Sequence, residues 1–402
     1  EIVEARKTPW KSTYHYPCQA ALRLALTTKP KNKPRLVWVY PAAMATLEAR
    51  FYGPIMERLF RCLLFSWDFS FLRGEVHELK HFLTGDTIYG TDVSGFDASV
   101  PAEMIEVIFN WISSKFKLSP VDKKDFHLVR RYFVYTPLWY KHSLYRKRRG
   151  VPSGSFFTQI VDSIVNAAYQ VVIACRLQYR DESIEGRCIE DIFRFLRVLG
   201  DDALVSLRGE YSKSRMTDVM LSFSEISGVE IHPDKGFYFS RGDFASLSTK
   251  INFLGFDMHF LQPPYLRKDP YLIMAQCLFP EQPEKHVGIS MARLIGIKWS
   301  SGDDPELLDI CNHFWNRLKE RYPDAVATEI PREYHTLFRY LFGNWQPSVE
   351  YYPTNKQVIA RYRIPPRAYY NDLGNFSNYW KYVRHRWSPV TDYHVKSVAM
   401  LR

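Results

Sequence analysis

The chemistry this chain is equipped for starts with acidic residues. Residues 193–206 read FRFLRVLGDDALVS, so Gly200-Asp201-Asp202 sits between two short runs rich in Val, Leu and Phe. Gly followed by Asp between strand-like runs predicts a tight hairpin, because Gly accepts the positive φ such turns need. Two like charges about 4 Å apart repel by about 4 kcal/mol at an effective dielectric of about 20. A divalent cation relieves that repulsion. Residues 86–101, DTIYGTDVSGFDASVP, add Asp92 near a strand end and Asp97 in the turn that leads to a helix. If the strands bearing Asp92 and Asp201 are neighbours in one sheet, both carboxylates point at one spot. Two metals held there suit an in-line phosphoryl displacement, one activating the attacking hydroxyl and one stabilising the leaving oxygen.

The same tripeptide also makes ordinary turns, and the chain holds a second copy, Gly302-Asp303-Asp304. Pro305 follows it, with no strand-like run on either side. That pattern predicts a helix N-terminus capped by Asp303 or Asp304, and no catalytic role is assigned to it.

Other pieces fit a nucleotide. Lys29, Lys31, Lys33 and Arg35 alternate with prolines at 30 and 34, which keep the segment extended. Such a row of cations would neutralise a triphosphate. Gly150, Pro152 and Gly154 form a loop, and the apolar helix after it carries Thr158, Asp162 and Asn166 every four residues. They therefore share one face. Loop and face together would hold a sugar. Lys235 lies in a turn after a short strand at 229–231.

The elements that must position these groups are legible as patterns. Residues 42–65 read as a helix, with Leu47, Phe51, Ile55, Leu59 and Leu63 at four-residue spacing. Residues 88–93 read as a strand. After Pro101 a helix presents Ile105, Ile108, Ile112 and Phe116 on one face. The basic run 146–149 reads as a solvated face or a localisation signal. Met216, Val219, Met220, Phe223 and Ile226 predict an amphipathic helix that stops at Gly228. Residues 251–256 read as a strand bent at Gly255. Residues 266–402 change character and are taken as a separate lobe, helical around Leu307, Ile310, Phe314 and Leu318, then aromatic and basic from 351.

The chain has 402 residues, which suits two or three subdomains. Lys and Arg outnumber Asp and Glu, 54 to 43, for a net charge of +11, and 16% of residues are aromatic. A basic, aromatic-rich globular chain suits nucleic-acid binding, with charges for phosphates and rings for bases. Cysteines at 18, 62, 175, 188, 277 and 311 show neither metal-ligand spacing nor a disulfide framework, and imply a reducing compartment. No stretch is read as a membrane helix or a signal peptide. The chain begins at Glu1 without a methionine, as a piece trimmed from a longer protein would.

The joint order of these motifs (basic strand, Asp-x4-Asp, Ser-Gly-x3-Thr, Gly-Asp-Asp, Lys turn) resembles that of viral RNA-dependent RNA polymerases. DVSGFDASVP, GVPSGSFFTQIVDSIVN and LGDDALVS look most like the motifs of partitiviruses, segmented double-stranded RNA viruses that replicate inside their capsids. The resemblance spans residues 29–256, and the rest more loosely. It implies an α+β, right-hand fold with an antiparallel palm sheet packed on helices. The fingers would be residues 1–85 with an insertion at 113–149, the palm 86–112 and 150–260, and the thumb and C-terminal region 261–402.

By the same resemblance, Asp92 and Asp201 would hold two Mg2+ ions, or Mn2+, with Asp202 as an accessory carboxylate. Asp97 would contact the ribose 2′-hydroxyl, supported by Ser153, Gly154 and Thr158. Many positive-strand relatives carry Asn four residues after the Thr. Here Asp162 stands there and is taken to complete the ribose network, with Asn166 the alternative. Lys33 and Arg35 would bind the triphosphate, Lys235 would protonate the leaving pyrophosphate, and residues 253–256 would grip the product 3′ end. The partners would be RNA template and product, ribonucleoside triphosphates and a viral capsid protein, with no membrane. The setting would be the host cytoplasm, inside the virion. Two alternatives remain open. A reverse transcriptase needs a bulky residue near the sugar and usually an aromatic two residues before the Asp pair, where Asp97 and Leu199 stand. A non-catalytic RNA-binding or capsid-associated protein explains the charge but not the carboxylates.

Overall fold

The computed structural model describes residues 16–23, 35–59, 62, 64–179, 192, 196–240, 243, 250–259, 265–342 and 352–363. Lys29, Lys31 and Lys33 lie outside the described residues, as do Leu63, Cys188 and residues 364–402.

β1 (Cys18–Arg23) pairs antiparallel with β2 (Arg35–Val39), Arg23 opposite Arg35. Helix α1 (Ala42–Leu59) follows and ends short of the expected residue 65. Then come α2 (Val76–Phe82), β3 (Thr87–Gly90), the one-turn α3 (Phe96–Ser99), α4 (Ala102–Ser114) and α5 (Pro120–Val134). β4 (Pro137–Tyr140) and β5 (Ser143–Arg146) make a hairpin, with β4 parallel to β1. After α6 (Thr158–Tyr179) come β6 (Leu196–Leu199), β7 (Asp202–Leu207), α7 (Lys213–Ser227) and β8 (Phe237–Ser240). β9 (Ile251–Phe253), β10 (Phe256–His259) and β11 (Tyr265–Arg267) form a three-stranded antiparallel sheet. The chain then turns helical: α8 (Pro270–Leu278), α9 (Val287–Ser300), α10 (Pro305–Arg321), α11 (His335–Phe342) and α12 (Asn355–Arg363).

The central sheet runs β6-β7-β3-β8, antiparallel throughout, and α6 packs on β6 and β7. Successive side chains of a strand point to opposite faces. Tyr89, Ala203, Val205 and Leu207 therefore enter one core, with α4, α5, α6 and α7. Ile88 and Leu204 enter another, with β9 and the C-terminal helices. A sheet covered on both faces buries successive residues of its inner strands, and β7 is buried from Ala203 through Leu207, Ser206 included. Phe71, Leu72, Val76, Leu79 and Phe82 also belong to the second core. Residues 71–82, grouped by sequence with the N-terminal fingers, thus pack with the C-terminal lobe.

Several local expectations are corrected. The strand expected at 88–93 ends at Gly90, and Val93 makes only a bridge with Ile231, so 229–231 is no strand either. Residues 251–256 are not one bent strand. Leu254 and Gly255 both have positive φ, 51° and 74°, which closes a two-residue β9–β10 hairpin. Asp97 lies in α3 rather than in a turn. Ile226 is exposed. In the basic run, Lys147 is buried rather than solvated, and donates to the Gly150 carbonyl. The segment Thr158–Gln178, not expected from the sequence to be a membrane helix, is long and apolar enough to cross a membrane, but it is mostly buried as the core helix of this fold. At the second Gly-Asp-Asp, Asp304 caps α10 by accepting from Glu306 N–H, as expected. Buried Asp303 accepts from Leu266 N–H at 2.6 Å and Arg363 Nε at 2.5 Å.

Candidate active site

The hairpin β6–β7 pairs Leu199 with Asp202, so Gly200-Asp201 is its two-residue turn, with Gly200 at φ 62°. Gly at the first turn position matches the twist of the flanking strands. The turn is fastened to α6. Gly200 N–H donates to Ser163 Oγ, and Asn166 Nδ2 donates to the Gly200 carbonyl, both at 2.9 Å. Asn166 Oδ1 accepts from Gln170 Nε2 at 2.9 Å, and that amide also reaches Thr91 Oγ1 at 2.7 Å. Both ends of Asn166 are thus engaged beneath the turn. From there it positions the hairpin, whereas Asp162, one turn earlier on the same helix, has an oxygen unpartnered among the described residues. Ser163 and Gln170 were missed. Their signal was polar residues at 163, 166 and 170, a second helical stripe in an otherwise apolar helix.

Sheet register brings the acids together. β3 pairs with β7 as Thr87–Leu207, Ile88–Ser206 and Tyr89–Val205. Continuing one for one, Asp92 falls level with Asp202, beside the Asp201 turn. Asp92 and Asp201 are exposed, and the Asp92 carbonyl accepts from His232 N–H at 3.2 Å. Burial pushes the Asp202 carboxyl up to about 6, the Asp201 and Asp92 charges add to this, and an N–H from Leu254 opposes it. The tight β9–β10 turn therefore serves the site through its backbone.

Asp97 and Asp162 flank this group. Desolvation and the Asp201 charge raise Asp97, while Arg35, at the start of β2, lowers it. Asp162 is buried, and its Oδ1 has no hydrogen-bond partner among the described residues. Burial raises it well above the usual carboxylate range, Asp97 and Asp201 raise it further, and Lys147 opposes them. Burial in turn lowers Lys147 to about 7.

The loop before α6 is stitched on several sides. Val151 N–H donates to the Asp97 carbonyl and Gly150 N–H to that of Val100, both at 2.7 Å. Ser153 Oγ accepts from Trp38 N–H at 3.1 Å, and the Thr158 hydroxyl donates to the Pro152 carbonyl at 2.6 Å. A Cβ on Gly154 would lie 1.9 Å from the Trp38 carbonyl oxygen, so only glycine lets β2 approach this closely. Lys235 is exposed, in the turn whose His232 touches Asp92, and its N–H donates to the His232 carbonyl.

Asp92, Asp97, Asp162, Asp201 and Asp202 thus act on one another electrostatically, with Arg35 and Lys147 as the counter-cations. Among the described residues no group of three His, Cys, Asp or Glu side chains already stands as a metal cluster. The donor chemistry nevertheless fits: carboxylate oxygens, Asp202 lifted by burial and then by the Asp201 and Asp92 charges, suit a hard divalent cation, Mg2+ or Mn2+. Asp92 and Asp201 would hold it, assisted by Asp202.

Comparison with known proteins agrees with the fold. The structure resembles the RNA-dependent RNA polymerase of a human picorbirnavirus with a TM-score of 0.60 at 20% identity, covering 77% of this chain and 58% of that one. The Sicinivirus 3Dpol RNA-dependent RNA polymerase gives 0.56 at 13% identity, covering 83% and 70%. The fold is therefore that of the right-hand viral polymerases, although the chain spans well under two thirds of the picorbirnavirus enzyme. A family model for viral RNA-dependent RNA polymerase matches residues 11–259. The RNA-directed RNA polymerase of Cryptosporidium parvum virus 1 (strain KSU-1) is 30% identical over 376 residues, 90% of this chain and 68% of that protein. The chain belongs to the viral RNA-dependent RNA polymerase family.

Proposed function

We propose that the chain catalyses template-directed RNA synthesis, replicating and transcribing a viral RNA genome. The observation that carries this reading is the convergence of Asp92, Asp201 and Asp202 at one end of the central sheet, with Asp97 and Asp162 alongside. In the reaction the RNA 3′-oxygen forms a bond to the α-phosphorus of a ribonucleoside triphosphate. The α–β phosphoanhydride bond breaks, the 3′-hydroxyl proton passes to solvent water, and pyrophosphate leaves. When bound, two divalent cations supply charge neutralisation and acidify the attacking hydroxyl. Asp92 and Asp201 hold those cations, and Asp202 tunes the charge beside them. Asp97 and Asp162 meet the ribose, the Ser153–Thr158 loop backs them, Arg35 with Lys33 binds the triphosphate, and Lys235 donates a proton to pyrophosphate.

The fingers are residues 1–70 and 113–149, the palm 86–112 and 150–260, and the thumb 261–402 together with 71–85. RNA template, RNA product and nucleotides are the partners. A viral capsid protein and a virion interior in the host cytoplasm follow the partitivirus likeness of the motifs.

Asp201→Ala tests the reading on a primed RNA template with Mg2+. The expected result is loss of nucleotide incorporation by about 10³-fold or more, with RNA binding and melting temperature retained. Activity near that of the wild type would sink the assignment. RNA binding by the wild-type chain without turnover at any metal concentration would favour a non-catalytic RNA-binding protein.

A further inference from the structure

α1 carries one acid on its apolar stripe. Met44, Leu47 and Phe51 face the first core, and Glu48 shares their face and is fully buried. A buried carboxyl is costly unless its oxygens are engaged. Glu48 Oε2 accepts the Ser155 hydroxyl at 2.7 Å and the Phe156 N–H at 3.0 Å. Ser155 Oγ in turn accepts from Phe157 N–H at 3.1 Å. These contacts lie between Ser153 and Thr158, and Ser153 is itself tied to the backbone of β2 at Trp38. The segment β2–α1 therefore grips the loop twice, and the same segment carries Arg35.

We infer that Glu48 is a positioning residue of the nucleotide site. From α1 it holds Ser155 and Phe156, so that the loop bearing Ser153, and the helix start bearing Thr158 and Asp162, keep a constant distance from the Arg35 strand. This rests on the polymerase reading above. The strand that would meet the triphosphate and the loop that would meet the sugar then move as one body. A nucleotide is located at both ends by the same contact.

The surroundings of Glu48 give the inference a readout that simple packing lacks. Burial pushes Glu48 up to about 7, against the hydrogen bonds from Ser155 and Phe156, while its Oε1 has no hydrogen-bond partner among the described residues. The titratable groups facing it are Tyr40 after β2, Cys18 on β1 and Tyr132 on α5, all raised by burial, with Lys147 beyond Cys18. Above about 7 the ionised carboxylate accepts both bonds strongly. Below it, the protonated group grips the loop less.

The test is steady-state incorporation by the full chain on primed RNA, with wild type, Glu48→Gln, Ser155→Ala and the double variant, between about pH 6 and 8.5. The KM for the incoming nucleotide is expected to rise about tenfold in Glu48→Gln, the worth of one charge-assisted hydrogen bond, with RNA affinity unchanged. Wild-type KM should climb as pH falls through about 7, while Glu48→Gln stays at its low-pH value throughout. Ser155→Ala should move KM the same way, and the double variant should be no worse than the worse single one. A Glu48→Gln chain with wild-type KM and wild-type pH dependence overturns the inference, and so do effects that multiply in the double variant. Should Glu48→Gln fail to fold by thermal melting, a wild-type KM in Ser155→Ala overturns it alone. Failure of the wild-type chain to incorporate any nucleotide instead brings down the polymerase reading itself. An active wild type with an unaltered Glu48→Gln brings down only this inference.

Discussion

Asp201 and Asp202 are adjacent, but their surroundings differ. Asp201 sits exposed at the turn, whereas Asp202 starts β7, partly desolvated and capped by the Leu254 N–H. Asp202→Ala is expected to lower incorporation by about 10²-fold, less than Asp201→Ala, in single-turnover assays that separate chemistry from binding. Asn166 answers to a different measurement. Removing its amide strands the Gly200 carbonyl in a buried setting. Asn166→Ala should therefore cost about 1–3 kcal/mol of stability in urea unfolding. A wild-type midpoint in that variant would show that the turn does not depend on α6.

Elements enter through their close approaches. The Ser153–Thr158 loop reaches β2 only because residue 154 lacks a side chain. Gly154→Ala, whose Cβ would lie 1.9 Å from the Trp38 carbonyl oxygen, must push the loop off β2. The expected cost is about 1–3 kcal/mol of overpacking, with nucleotide KM raised alongside the fall in melting temperature. For Glu48 the sign of the stability effect follows from linkage. Its folded value, about 7, lies above the 4.5 of an unperturbed glutamate. The folded state therefore binds the proton more tightly, and its contribution is fully present below about 4.5 and lost as pH rises through about 7. Glu48→Gln, which carries no such charge, should thus melt higher than wild type at pH 8, with the advantage shrinking toward pH 5. Greater stability with poorer nucleotide binding would mark a site residue rather than a packing residue. A lower melting temperature than wild type at both pH values would contradict the burial argument.

Taken as one body, the molecule is a sheet between two cores. The N-terminal β2-β1-β4-β5 sheet also meets the C-terminal lobe through Arg23, whose Nη2 holds both Glu281 oxygens at 2.6 and 2.7 Å. That pair is exposed, so Arg23→Ala should shift stability by under about 1 kcal/mol. The net charge of +11 has a larger consequence. Affinity for single-stranded RNA should fall linearly in log K against log salt, with a slope of about −0.7 per phosphate neutralised. A flat salt dependence in filter binding would remove the electrostatic basis for RNA as the partner.

How much of this was legible in the residue order depends on how far each cause reaches. The Gly200 turn, the helix after Pro101, the stop at Gly228 and the capping role of Asp304 are local. Backbone sterics, capping and periodicity act over a few residues, so each could be read from its neighbours. The order of the acid-bearing motifs also pointed to the polymerase family, because residue types and spacing survive without coordinates. The rest was settled by contacts between segments far apart in the chain. The β3–β7 register brings Asp92 level with Asp202. The two-sided burial of the sheet sends residues 71–82 to the C-terminal lobe. α6 takes Asn166 under the turn while Asp162 faces the other acids, although both lie on one predicted stripe. Glu48 left a faint trace, an acid among Met44, Leu47 and Phe51. Its partners Ser155 and Phe156 lie more than a hundred residues away, and the cost of burying a charge is decided by whatever packing puts beside it.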